Sequence, residues 1–174
     1  MNIYDVSNKA GVSIATVSRV LNGNARVSLA TRKKVLDAMK ELDYTPNVFA
    51  RGLGLNTMKT IGIMCIDSSD IYLANAVYYL EQELRKHSYD SILCCTGKDY
   101  TNKKKYLELL LSKRVDGIIL AGSQFVENTD TYNNDYIINA AKDIPIVLVN
   151  GYLDAPNIYS VMCNDEIAIY NATN

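Results

Sequence analysis

The spacing of apolar residues along this 174-residue chain changes its period once, near residue 60. Before that point the intervals are helical. Ile3, Val6 and Ala10 share one face over residues 3–10, and Gly11 suits the left-handed residue that ends such a helix. Val17, Val20 and Leu21 recur at i, i+3, i+4, behind Ser13 as an N-cap. A third helix runs from a Ser28 cap to about Asp43, with Val35, Leu36, Met39 and Leu42 facing inward. Thr45-Pro46 stops it, because a residue before proline is pushed out of the helical region. In residues 47–60, NVFARGLGLNTMKT, the apolar face of Val48, Phe49, Ala50 and Leu53 is weakened by Gly52 and Gly54. A helix below ~12 residues does not stand alone, so this stretch reads as a hinge that orders only in company.

From Thr60 the pattern alternates between continuous apolar runs and amphipathic stretches. The runs IGIMCI (61–66), SILCC (91–95), GIILAG (117–122), IPIVLVN (144–150) and YSVMC (159–163) suit strands buried on both faces of a parallel sheet. Three helices lie between them. They are marked by Leu73, Val77, Leu80 and Leu84, by Tyr106, Leu107, Leu110 and Leu111, and by Ile137, Ile138 and Ala141. Strand–helix alternation of this kind gives a right-handed, doubly wound α/β layer, whose ligands sit beyond the carboxyl ends of the strands. The expected fold class is therefore α plus α/β. Residues 1–46 form a three-helix head, 47–59 a hinge, and 60–174 a parallel-sheet lobe.

Charge separates these parts further. The whole chain carries a net charge of −1, yet residues 1–59 hold nine Lys/Arg against four Asp/Glu, and the remainder nine against fifteen. A basic head on an acidic body points the head, and not the body, at a polyanion. No signal peptide or apolar run of ~18 residues is present, which fits a soluble cytoplasmic protein. Cys65, Cys94, Cys95 and Cys163 fall in apolar runs without C-x-x-C spacing and read as buried reduced thiols.

The second helix has an unusually slim outer face. Ala15, Ser18, Arg19 and Asn22 lie opposite the apolar stripe, and Ile14 flanks them near the N-terminus. A helix entering a DNA major groove ~12 Å wide needs such a face, with donors that reach base edges from its first turns. Arg19 can make a bidentate pair with guanine, and Ile14 and Ala15 can touch thymine methyls. A plain surface helix with one solvated Arg has the same spacing.

A family resemblance narrows the choice. IYDVSNKAGVSIATVSRVLNG, VSLATRKKVLDAMKELDYTPN and FARGL resemble the DNA-binding head of the LacI/GalR family of bacterial transcription regulators. TIGIM, LLLSKRVDGIIL and IPIVLVN resemble that family's first ligand-binding lobe, of periplasmic-binding-protein type. The resemblance implies a helix-turn-helix in which Ile14, Ala15 and Arg19 read bases. It implies that Arg26 reaches the adjacent DNA, and that Tyr4, Ser13, Thr16, Ser18, Asn22 and Thr31 hold phosphates. Asn47 and Ala50 would belong to a hinge helix, with Leu53 wedged into the minor groove at the centre of a homodimer. Such a wedge unstacks a base step and kinks the duplex. Gly52 stands where the family more often has a polar residue such as Ser.

In the lobe, the resemblance places effector contacts after the first strand. Asp67, Ser69, Ile71 and Tyr72 are the candidates, with Ser123 beyond the third strand and Asn150 beyond the fourth; each also suits a loop cap. The family's Asn-Pro-Phe-Phe pattern is replaced by Asp70-Ile71-Tyr72-Leu73. Family members are about twice as long and grip their effector between two lobes, so at most half a pocket is expected here. The function implied is a repressor that binds a palindromic double-stranded DNA operator as a dimer. In the full-length form a sugar or related metabolite would control it. The expected location is cytoplasmic and nucleoid-associated, away from any membrane.

Two rival readings are an enzyme of flavodoxin-like or receiver-like fold and a free solute-binding protein. The lobe has no P-loop, no G-x-G-x-x-G and no paired acid–base set, and with His87 as the single His a His-based triad or metal site has little material. The basic head and the missing secretion signal oppose the solute-binding reading.

Overall fold

Asn2 opens the fold with a capping box: its Oδ1 accepts the amides of Tyr4 (2.8 Å) and Asp5 (3.2 Å), while Asp5 Oδ2 accepts the Asn2 amide at 2.8 Å. Helix α1 follows, Ile3–Ala10, in a computed structural model that describes residues 1–46, 52, 57–127, 133–164, 169–170 and 173. The chain forms two compact units, Met1–Met58 and Lys59–Asn174. In the first, Gly11 takes φ 64° and ends α1, and the turn to α2 (Ile14–Leu21) is closed by two hydrogen bonds between Ser7 and Val12. The Val12 amide donates to Ser7 O at 3.1 Å, and the buried Ser7 hydroxyl donates to Val12 O at 2.6 Å. Helix α3 spans Leu29–Glu41. Val6, Val17, Val20, Val35 and Ala38 form the core of this unit, flanked by Ile3, Leu21, Met39 and Leu42.

Two expectations for α3 are corrected. Leu36 is 49% exposed, because Val35, Ala38, Met39 and Leu42 already complete the inward stripe and Leu36 lies a residue off it. The helix also ends at Glu41, before the proline acts, since Asp43 adopts φ 46°. At Gly11 no atom lies within 4 Å of a Cβ, so only the left-handed backbone opposes a side chain. Gly11→Ala is expected to destabilise the head by about 1–2 kcal/mol in denaturant unfolding; an unchanged midpoint would contradict this.

The second unit alternates as its periodicity predicts: β1 (Thr60–Cys65), α4 (Ile71–Lys86), β2 (Asp90–Cys95), α5 (Tyr100–Ser112), β3 (Gly117–Ala121), a 3-10 turn (Ser123–Phe125), α6 (Asp135–Ala141), β4 (Ile146–Val149) and β5 (Ile158–Val161). All pairings are parallel, in the order β2-β1-β3-β4-β5. Met64, Ile118, Leu120, Ile146 and Leu148 pack with Leu107 and Leu110 of α5 and with Ile137 and Ala140 of α6 into the main core. The apolar face of α4, including Leu73, Val77, Leu80 and Leu84, is only half-buried. The expectation that every strand is covered on both faces fails at β5, where Tyr159 and Val161 are exposed on an edge strand paired to β4 alone. Cys95 and Cys163 are likewise exposed, whereas Cys65 and Cys94 are buried. An apolar run identifies a strand without saying which of its faces will be covered.

A buried polar lock fixes the loop after β3. Lys103, on the inner side of α5, lies 2.5 Å from both Gln124 O and Glu127 Oε1. Asn134 brackets Glu127 from the other side, accepting its amide at 2.8 Å and donating to its carbonyl at 3.1 Å. Tyr136 donates to Phe125 O at 2.7 Å, and burial pushes its phenol above the usual range.

Candidate nucleic-acid interface

Helix α2 presents the face that the sequence predicts. Ile14, Ala15 and Arg19 are exposed, Ser18 and Asn22 are half-buried, and Val17 and Val20 are in the core. Ser13 Oγ accepts the Thr16 amide at 3.2 Å and lies 2.9 Å from Thr16 Oγ1. Ser28 and Thr31 repeat both distances at the start of α3. These hydroxyl pairs fix the first turns, where the free amides and the helix dipole favour an anion. Exposed Tyr4 stands at the corresponding end of α1.

The loop between α2 and α3 is organised by a residue that sequence reasoning missed. Asn24 Oδ1 accepts the Arg26 amide at 2.9 Å, an Asx turn, while the Asn24 amide bonds Arg19 O at 2.9 Å. Arg32 Nη2 donates to Asn24 O at 2.9 Å, which ties the loop to α3. The Asn-x-Arg spacing was the available signal for the turn; the Arg32 contact has none, because it depends on how two helices pack. The result is a groove of about 460 Å³ lined by Thr16, Arg19, Asn24, Arg26, Ser28 and Thr31. Four residues expected at DNA therefore share one concavity, with Ile14 and Ala15 on the adjoining α2 face. Among the described residues no acid lines this groove; of the acids in the head, Asp5 caps α1 and Glu41 pairs with Lys9 at 2.8 Å. Two guanidinium groups beside two helix N-termini make an anion-accepting surface, and the slim α2 face next to it fits a groove. The hinge candidates Asn47, Ala50 and Leu53 lie outside the described residues.

In the second unit the strand order reverses between β1 and β3, the switch point at which such sheets bind ligands. Asp67 follows β1, and its Oδ1 accepts the Ser69 amide and the Ser69 hydroxyl, each at 2.8 Å. Those two bonds, the amide first, hold its carboxyl below the usual range. Asn150, at φ 58° after β4, donates from Nδ2 to Tyr72 Oη at 2.6 Å. The effector candidates thus fall into two polar pairs, Asp67 with Ser69 and Tyr72 with Asn150. Ile71 and Ser123 are exposed at the same edge of the sheet. Neighbouring Asp70 serves as a cap, accepting the Leu73 amide at 3.0 Å. Among the described residues no group of three or more His, Cys, Asp or Glu is placed to hold a metal, and no helix is long and apolar enough to cross a membrane.

Comparison with known families settles the relationship. The model of bacterial regulatory proteins of the lacI family matches residues 2–47, and that of the periplasmic binding proteins and sugar binding domain of the LacI family matches residues 58–174. The chain belongs to the LacI family. An HTH-type transcriptional regulator of Lachnoclostridium phytofermentans is 67% identical over 99% of this chain and 51% of its own length. The HTH-type transcriptional repressor PurR of Vibrio cholerae is 34% identical over 98% of this chain and 49% of its own. These relatives are described as transcriptional regulators and not as enzymes. The LacI-family fold recurs in the lac repressor dimer bound to operator and the anti-inducer ONPF, with a TM-score of 0.78 at 24% identity over 99% of this chain and 52% of that one. This chain spans about half the length of the curated relatives it matches.

Proposed function

We infer that the chain is the operator-reading end of a sequence-specific repressor of transcription. A homodimer places two copies of α2 in successive major grooves of a palindromic site. Ile14, Ala15 and Arg19 read base edges, and Arg26 extends the reading into neighbouring sequence. Tyr4, Ser13, Thr16, Ser18, Asn22 and Thr31 hold phosphates and set the register. Asn47 and Ala50 support the hinge, from which Leu53 enters the minor groove. The observation that carries this reading is the groove shared by Arg19, Arg26, Thr16 and Thr31 beside the bare face of α2.

The lobe supplies one wall of an effector site for a sugar or related metabolite, built from Asp67, Ser69, Ile71, Tyr72, Ser123 and Asn150. Their hydroxyl, amide and carboxylate groups suit a polyhydroxylated ligand. A regulator of this kind works in the cytoplasm, on the nucleoid.

The test is the salt dependence of duplex binding. Each phosphate neutralised releases counterions and contributes about −0.9 to the slope of log affinity against log salt. A steep negative slope is expected for the chain on mixed-sequence duplex. No binding, or binding indifferent to salt, would overturn the assignment.

A further inference from the structure

Strands β1 and β2 end side by side with Cys65 opposite Cys95 in register. The two Sγ atoms are 3.7 Å apart. Cys94, one residue earlier on β2, projects to the other face of the sheet and joins the main core. Cys65 is fully buried and Cys95 is exposed. We propose that Cys65 and Cys95 form a reversible dithiol–disulfide site at the carboxyl edge of the sheet, oxidised by hydroperoxides.

The backbone is already suited to the bond. Neighbouring strands lie ~4.8 Å apart, inside the ~4.4–6.8 Å that a disulfide spans between Cα atoms. The sulfurs have to close from 3.7 Å to ~2.05 Å, between strands whose spacing admits the bond. Vicinal Cys94 and Cys95 point to opposite faces and lack this geometry.

The asymmetry of the pair sets the order of events. Burial, reinforced by the neighbouring Cys95 thiol, pushes the Cys65 thiol up to about 12, so Cys65 stays protonated and does not start the reaction. Exposed Cys95 is the sulfur that a peroxide reaches, and it attacks a peroxide oxygen. The O–O bond breaks, Cys95 becomes a sulfenic acid, and the leaving hydroxide takes up a proton to give water. The Cys65 sulfur then attacks the Cys95 sulfur, the S–O bond breaks, and the departing hydroxyl leaves as water with the Cys65 proton. Two thiols lose two electrons and hydrogen peroxide gains them; a small dithiol reverses the change. The bond would join the strand ends that lead into the Asp67–Ser69 turn and the Thr96–Gly97 turn, which already meet through Thr96 N–Cys65 O at 2.9 Å and Gly97 N–Ile66 O at 3.0 Å. Oxidation would thereby stiffen the rim next to the effector candidates.

The chain is treated with hydrogen peroxide, its free thiols are alkylated, and it is digested with trypsin. The expected product is peptide 60–85 joined to peptide 87–98, separated again by dithiothreitol, from protein of monomer mass. Fragmentation of that product should place the bond at Cys95. The link should persist in Cys94→Ser and vanish in Cys95→Ser. A bond mapped to Cys94, a link that survives in Cys95→Ser, oxidation only to disulfide-linked dimers, or sulfinic acid at Cys95 with no link would each overturn the proposal. Mapping on the unsubstituted chain keeps the test valid even if a variant folds poorly.

Discussion

Arg19→Ala is expected to weaken binding to the preferred duplex by roughly 5- to 150-fold, which corresponds to the about 1–3 kcal/mol of discrimination carried by one bidentate Arg–guanine pair. Affinity for random duplex should fall far less, because the phosphate contacts assigned to Thr16, Thr31 and their neighbours remain. The thermal midpoint should not move, since the Arg19 side chain is exposed. Fluorescence anisotropy with the two duplexes, alongside a melting curve, separates these effects. Equal losses on both duplexes would reassign Arg19 to the backbone of the DNA.

The second large effect concerns the lobe. Lys103→Met removes a cation whose side chain is 5% exposed and leaves Glu127, 14% exposed, without its partner. Breaking one side of a buried ion pair costs about 3–5 kcal/mol, whereas replacing both members by apolar residues is close to neutral. Lys103→Met should therefore lose that much in denaturant unfolding of the lobe, and Lys103→Met with Glu127→Leu should recover most of it. Because the same contact fixes Gln124, the single variant should also loosen the segment that starts at Ser123. A loss in the single variant below about 1 kcal/mol would class the pair with solvent-exposed ion pairs.

The local part of this structure was legible in the sequence. Ser13 ahead of Val17, Val20 and Leu21 specifies a capped amphipathic helix within one turn, and α2 forms there with the expected outer face. The apolar runs located the five strands found among the described residues to within about two residues, because parallel strands need continuous apolar character. What remained hidden depends on contacts distant in the chain. Lys103 sits in the run Lys103-Lys104-Lys105, and nothing local marks which lysine turns into the lobe. Cys95 and β5 lie in apolar runs like those of the core, yet their exposure follows from which sheet faces the helices cover. In the candidate interface, the residue types on α2 were readable, while the Asn24–Arg32 contact that shapes the groove arises only when α3 packs beside the loop. The effector rim was readable as a place, at the carboxyl ends of β1, β3 and β4, and its pairing of Tyr72 with Asn150 was not.

The central claim is that the head reads a base sequence, and selection from a pool of random duplexes tests it most directly. Repeated capture by this chain should enrich one short motif arranged as an inverted repeat, and the Arg19→Ala chain should relax its preference at one guanine in each half. A captured pool with the same base composition and order as the input would contradict the account, however tightly the chain held it.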